Sequence, residues 1–322
     1  MLKTFARFLA LSVLASVTLQ QPAHAQRPAS STRASGLQNL LDAELSRFPA
    51  KTGVWVKNLT TGEEASVRAD DTFNTASVIK IPVLVLAMQM ADKAQLNLSE
   101  RYTITAADLR GGTGIFRLND PGLQPTLRDV LMQMIITSDN TATDIAIAKV
   151  GGVERVNAWL KASGYGKEMK LGMTTGELFA KYATLAAGAI SNDKTNNDRS
   201  FWLGEMTPRA TGRMLESIQR CGDGSATAPF IAEKLSCVAM MRMLRGQQAG
   251  ARRLPHYLNV AVAHKTGDFP PVLANDVGII FARSGPIVVS FFANAIEGPF
   301  AEAEDRIGRI AQLIVEYFDS AK

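Results

Sequence analysis

The stretch Ser77-Val78-Ile79-Lys80-Ile81-Pro82-Val83-Leu84-Val85-Leu86-Ala87-Met88 decides how the rest of the chain is read. Its apolar run predicts a helix that opens at Ser77. Pro82 is tolerated only near a helix start, which agrees with Ser77 at the N-terminal end. A spacing of three puts the Ser77 hydroxyl and the Lys80 amine one turn apart on the same face. Two further strings follow in order, Ser138-Asp139-Asn140 and Lys265-Thr266-Gly267.

Upstream, Leu37, Leu40, Leu41, Leu45 and Phe48 recur at helical spacing. Gly53 to Leu59 and Glu64 to Arg68 then read as two strands joined at Thr60-Thr61-Gly62. Downstream, residues 125–250 are mostly helical in pattern: Leu127 to Ile136, Thr141 to Val150, Val153 to Ala162, 177–189, Pro208 to Arg220 and Glu233 to Arg245. After Pro255 the pattern changes to three strands, Leu258 to His264, Val277 to Ala282 and Ile287 to Ala295, with a turn at Ser284-Gly285. Phe300 to Phe318 closes the chain as an amphipathic helix.

The fold class this predicts is α/β in the α+β sense. An antiparallel sheet is built from both chain ends and flanked by the terminal helices, and the middle forms an all-helical lobe. The sheet lobe takes about residues 26–75 and 255–322 and the helical lobe about 76–254, in a single domain. A cleft between the lobes would collect Ser77, Ser138 and Lys265.

Each string is weak alone. A second Ser-x-x-Lys stands at Ser191 to Lys194, in a polar stretch read as a loop, and a second Lys-Thr-Gly at Lys51-Thr52-Gly53, ahead of the serine. Order and neighbours set the first trio apart from both. Ser77 is then the candidate nucleophile, since a serine hydroxyl needs a proton acceptor and Lys80 supplies one if burial beside other cations lowers its pKa. The Ser77 N–H at a helix start points where an oxyanion would form. Asp139 is a candidate N-cap for the helix after it. Alternation along the third strand sends Lys265 into the cleft and His264 to the other side, as a structural histidine. Gly267 lets a ligand approach the backbone.

The trio resembles the penicillin-recognising serine hydrolases, meaning class A β-lactamases and penicillin-binding proteins. Asn140-Thr141-Ala142 and Thr207-Pro208-Arg209-Ala210 also look like class A β-lactamases, and Gly111-Gly112-Thr113-Gly114 like their looser relatives. The resemblance covers nearly the whole mature chain. It implies a β-lactamase/transpeptidase-like fold and hydrolysis of a β-lactam through an acyl-enzyme on Ser77. It implies that Ser138 hands a proton to the leaving nitrogen and that Asn140 contacts substrate and Lys80. It also implies that Lys265 and Thr266 hold a carboxylate, and that the N–H of Asp268 is the second oxyanion donor. The Asp268 side chain is expected to turn away from an anionic substrate.

One family string is absent. Class A members place a deacylation base on a Glu-x-Glu-Leu-Asn segment, and the nearest match here is Thr175-Gly176-Glu177-Leu178-Phe179. Aligned on Glu-Leu, Thr175 takes the place of the base and Phe179 that of the asparagine. Glu177 is the first candidate base, with Glu205 and Glu168 behind it, and Glu177 as a first-turn helix residue is the competing reading. If no glutamate serves, release is slow and the chain behaves as a penicillin-binding D,D-peptidase acting on peptidoglycan stem peptides. A β-lactam sensor and an esterase of related fold are the remaining rivals.

Composition narrows the classes further. Lys3 and Arg7, the apolar run Phe8 to Leu19 and Ala23-His24-Ala25 read as a signal peptide over residues 1–25, so export to the periplasm or medium is expected. The full chain carries a net charge of +5, and removal of those two basic residues leaves +3. No basic stripe interleaves with aromatics, so nucleic acid is not an expected partner. After cleavage only His256 and His264 remain, which argues against a metal site; no cofactor is expected, no membrane after cleavage, and a monomer. Cys221 and Cys237 are the two cysteines, and a disulfide and a pair of buried thiols both stay open.

Overall fold

Strand β1 (Lys51–Asn58) sits near the middle of the main sheet, although it comes early in the chain. It pairs on one side with β2 (Glu64–Val67) and on the other with β8 (Gly285–Asn294), a strand from the opposite end of the sequence. β7 (Leu273–Ala282) and β6 (Val262–Phe269) complete the antiparallel order β2-β1-β8-β7-β6. The computed structural model describes Leu2 and residues 31–186, 189–226 and 231–320. Apart from Leu2, the expected leader over residues 1–25 lies outside them.

Alternation gives the sheet two apolar faces. Val54, Val56, Val289 and Phe291 pack on the terminal helices α1 (Ser31–Leu45) and α10 (Phe300–Asp319), through Leu37, Leu41, Ile307, Ile310 and Ile314. Trp55, Val277, Ile279, Val288 and Phe292 belong to a second core shared with the helical elements. These are α2 (Lys80–Asp92), α3 (Leu127–Ile136), α4 (Asn140–Lys149), α5 (Gly152–Ala162), α8 (Pro208–Asp223) and α9 (Lys234–Arg245). Helix α2 contributes an unbroken buried run from Lys80 to Met88, which explains its lack of amphipathic pattern. A second, three-stranded sheet has the order β3 (Phe73–Asn74), β5 (Gly204–Met206), β4 (Met169–Leu171). No helix among the described residues is long and apolar enough to cross a membrane.

Helix α8 begins as its sequence requires, with Pro208 in the first turn and the Thr207 hydroxyl accepting from Ala210 N. Cys221 on α8 and Cys237 on α9 form a disulfide, S–S 1.98 Å. A cross-link of this span is worth about 3 kcal/mol in the chain-entropy model.

Several boundaries differ from expectation, and the strand expected from Leu258 begins at Val262. The helix expected over 177–189 is α6 (Thr175–Tyr182), which stops early and is followed by a second helix, α7 (Ala189–Asn197). Ser191 to Lys194 therefore lies on a helix, not in a loop. Strands β6 and β7 both extend across Lys265 to Phe269 and Leu273 to Val277, so the third string sits inside a strand. Asn275 and Asp276 precede the strand expected from Val277, yet both are fully buried in β7 with hydrogen-bonded side chains.

Candidate active site

Ser77 lies in a short 3-10 turn, Ala76–Ile79, that runs directly into α2. Its amide belongs to the first turn of that element, where N–H groups have no intrahelical partner. The preceding Ala76 has φ +41°, a left-handed conformation that costs a non-glycine residue energy. Three buried asparagines hold it there. The Asn74 side-chain oxygen accepts from Ala76 N at 3.1 Å, and Asn275 Nδ2 donates to Asn74 O at 2.9 Å and to Thr75 O at 3.2 Å. Asn294 Oδ1 accepts from Asn74 N at 2.9 Å, and its amide donates to Asn275 Oδ1 at 3.0 Å. Sequence reading missed this trio; its signal is a pair of amides inside otherwise apolar strands.

Lys80 is fully buried, and its ammonium donates to Ser138 O (2.7 Å), Asn140 Oδ1 (2.9 Å) and Ser138 Oγ (3.1 Å). Those three acceptors use all three N–H groups of a lysine. The expected Lys80 contact to Asn140 is present, whereas Ser77 is not one of the three partners.

Ser138 also carries a left-handed φ of +54°. The strain is supported from both sides. Asp139 caps α4, accepting from Ala142 N at 2.8 Å, and its other oxygen accepts from Phe116 N at 2.7 Å. Thr113 Oγ1 donates to Ser138 O at 2.7 Å, and Asn140 N donates to Thr113 O at 3.2 Å. This close loop approach accounts for Gly112 and Gly114, both with positive φ. A Cβ on Gly114, whose φ is +109°, would fall 2.3 Å from the Asp139 carboxyl group.

Lys265 is fully buried on β6 and donates to Ser138 Oγ at 3.0 Å and Thr266 O at 2.8 Å. A Cβ on Gly267 would lie 2.2 Å from Thr75 O and 3.2 Å from Ser77 N, so only glycine lets the strand lie this close to the Ser77 turn. Thr266 is fully buried, packs its methyl against Gly250, and leaves its hydroxyl without a partner. The Asp268 carboxylate pairs with the buried guanidinium of Arg253, which also binds Glu304 at 2.9 Å. His264 faces away, with Nδ1 2.8 Å from Asp276.

Burial pushes the Lys80 amine well below the ordinary lysine range, and the charge of Lys265 adds to the effect, against the opposing pull of Asp139, Asp144 and Asp268. Lys265 falls from 10.5 to about 8, chiefly by burial, with Asp268 and Asp276 opposing and Arg253 assisting.

Glu177 sits where the competing reading placed it, in the first turn of α6. It forms a capping box on α6: its Oε2 accepts from Thr174 N and Thr174 Oγ1, both at 2.8 Å. These bonds lower its pKa, and the residue is exposed outside the cleft that holds Ser77. Glu168 pairs with Arg213 at 2.6 Å and Glu205 with Arg199 at 3.2 Å, and neither lines the cleft. What does line it from this segment is Thr175, Leu178 and Phe179. Thr175 bonds Asp144 through both its N–H (2.7 Å) and hydroxyl (2.8 Å). Among the described residues lining the cleft, Asp268 carries the one carboxylate.

The cleft encloses about 480 Å³, and Ser77, Ser138, Asn140 and Asp268 are among the residues that line it. Two ammonium groups converge on one serine hydroxyl beside a second serine at a strained helix start. That arrangement suits acyl transfer with proton relay through lysine and serine.

The chain belongs to the β-lactamase enzyme family, whose model matches residues 33–318. It is 24% identical to β-lactamase VEB-1 of Pseudomonas aeruginosa, over 88% of this chain and 89% of that one. It superposes on the crystal structure of a β-lactamase from Sphaerobacter thermophilus with a TM-score of 0.70 and 26% identity, covering 89% of this chain and 97% of that one. A mutant of PBP-A, solved as an acyl-enzyme complex with penicillin G, shares the fold at a TM-score of 0.71 and 21% identity, over 90% and 97% of the two chains.

Proposed function

We propose that this protein hydrolyses the amide of β-lactams through an acyl-enzyme on Ser77. One observation carries the reading: the Lys80 and Lys265 ammonium groups sit 3.1 and 3.0 Å from the same Ser138 hydroxyl. Burial and the neighbouring charge of Lys265 both favour loss of the Lys80 proton. Lys80, neutral, accepts the Ser77 proton through a bridging water or by a turn of its own side chain. Ser138 then passes a proton from Lys80 to the ring nitrogen as the amide bond breaks. The Ser77 and Asp268 N–H groups face the oxyanion. Lys265 and the unpartnered Thr266 hydroxyl receive the substrate carboxylate, while the pairing of Asp268 with Arg253 removes an anion from its path. No cofactor enters, and the protein acts as an exported monomer.

Release of the acyl group is the slow half of the cycle. Glu177, Glu168 and Glu205 are engaged elsewhere, and Thr175 offers no carboxylate to a water. This favours, as second reading, a D,D-peptidase-like protein that acylates and holds its product. Mass spectrometry after mixing with a penicillin tests the first half: the expected result is an adduct on Ser77, and neither adduct nor turnover would sink the proposal. Nitrocefin separates the two readings, since many turnovers support the lactamase and one burst supports the peptidase.

A further inference from the structure

The third string runs straight into a buried cluster of charges. Asp268 follows Gly267 on β6 and is among the residues that line the cleft. Its side chain is 25% exposed, while that of its partner Arg253 is sealed at 3%. A guanidinium offers five N–H groups. Here Nε donates to Glu304 Oε1 at 3.0 Å and Nη1 to Asn275 O at 2.9 Å. Nη2 serves Asp268 and, at 2.9 Å, Glu304. Arg253 is thus committed within the fold and does not present its charge to a ligand. It ties Asp268 to the strand of Asn275, whose side chain holds the Ser77 turn. One cation stands between two carboxylates, so the trio keeps a net negative charge. That charge reaches the site: Asp268 favours the protonated form of Lys265, and Arg253 disfavours it.

We infer that the Asp268 carboxylate, held by Arg253, sets how strongly the cleft prefers a substrate that carries a carboxylate. Asp268 determines this specificity, and Arg253 is a positioning residue that acts through it. The inference rests on the hydrolase reading above and deepens it. Alternation puts the Asp268 side chain on the same strand face as Thr266, about 7 Å along. A carboxylate received by Thr266 and Lys265 therefore meets a second anion close by. Like charges in such a place cost binding energy. Arg253 offsets only part of that cost, because it is shared with Glu304. Asp268 tempers an attraction that Lys265 alone would make stronger. Without Arg253 the same carboxylate would oppose the substrate in full.

The test compares the rate of Ser77 acylation by benzylpenicillin with that by its methyl ester, which lacks the carboxylate charge. General damage to the site slows both and leaves their ratio alone, whereas a change of charge moves the ratio. Asp268→Asn is expected to raise the ratio of acid to ester at least about threefold, the worth of one charge about 7 Å away even in a watery medium. Arg253→Met is expected to lower it by at least as much, and adding Asp268→Asn to that variant should bring it back up. An Asp268→Asn ratio within about twofold of wild type overturns the inference while leaving acylation intact. So does an Arg253→Met variant that slows both substrates equally. If Arg253→Met does not fold with Glu304 left unpaired, Asp268→Asn alone decides. No adduct with either compound overturns the hydrolase reading and the inference together.

Discussion

The Lys80 ammonium lies 3.1 Å from Ser138 Oγ and takes its other two acceptors from Ser138 O and Asn140 Oδ1, none of them Ser77. The helix-turn spacing of Ser77 and Lys80 therefore provides nearness, and the second string provides the contact. Acylation then needs both partners of the Lys80–Ser138 pair. Lys80→Ala and Ser138→Ala are each expected to slow acylation by about 10²–10⁴-fold, the usual worth of a positioned proton carrier. The wild-type rate should fall with decreasing pH as Lys80 becomes protonated, at a pH well below the ordinary lysine range. Stopped-flow acylation against pH checks both points, and a variant within a factor of about three of wild type would exclude that residue as carrier.

Lys265 gives a pH effect of its own on substrate binding. Its pKa near 8 makes it a cation at neutral pH and a neutral amine in mild alkali. KM for a β-lactam with a free carboxylate should rise above about pH 8, with kcat less affected. The stability consequence has a definite sign. The folded lysine loses its proton near 8 and the unfolded one near 10.5, so between them the unfolded chain binds more protons and stability rises with pH from this group. Below about 8 both states are charged and the full cost of the buried cation remains. Lys265→Met should flatten both profiles, measured by steady-state kinetics and by urea unfolding across that range.

Glu177→Ala separates a cap from a base. The capping box places Glu177 on Thr174, and loss of such a box costs at most about 1.5 kcal/mol. The expected outcome is a small fall in the melting temperature and an unchanged deacylation rate. A loss of kcat of about 100-fold or more with the fold intact would restore Glu177 as the base.

Much of this arrangement is legible in the sequence, for identifiable reasons. Helix α3 matches its expected bounds because a Thr126–Asp129 capping box and an apolar stripe mark it locally. The pairing of β1 with β8 follows from strands at both ends needing a common sheet. What stays hidden is decided by contacts distant in sequence. The extension of β7 through Asn275 and Asp276 depends on partners on β6, β8 and the Ser77 turn. The cleft lining joins residues as far apart as Phe179 and Phe269, and no single segment advertises it. The Thr174–Glu177 contact is local and legible, since Thr174 three residues ahead of a glutamate is a capping signature.

The buried amides around the Ser77 turn provide the last test. Asn275 donates to Asn74 O and Thr75 O and accepts from Ala293 N at 3.1 Å and Asn294 Nδ2 at 3.0 Å. Replacing it by leucine keeps the volume but leaves several buried groups unpaired. Each such group costs about 1–3 kcal/mol, so Asn275→Leu should lose roughly 3 kcal/mol or more. The functional effect should exceed the loss of folded molecules. The left-handed Ala76 is held through Asn74, and without that hold the Ser77 amide and hydroxyl no longer meet β6 in a fixed position. Acylation per folded molecule, measured well below the variant's unfolding midpoint, should drop at least tenfold, roughly the effect of misplacing a reacting group by an ångström. If Asn275→Leu loses less than about 1 kcal/mol and acylates at the wild-type rate, the amide network is not what positions the nucleophile.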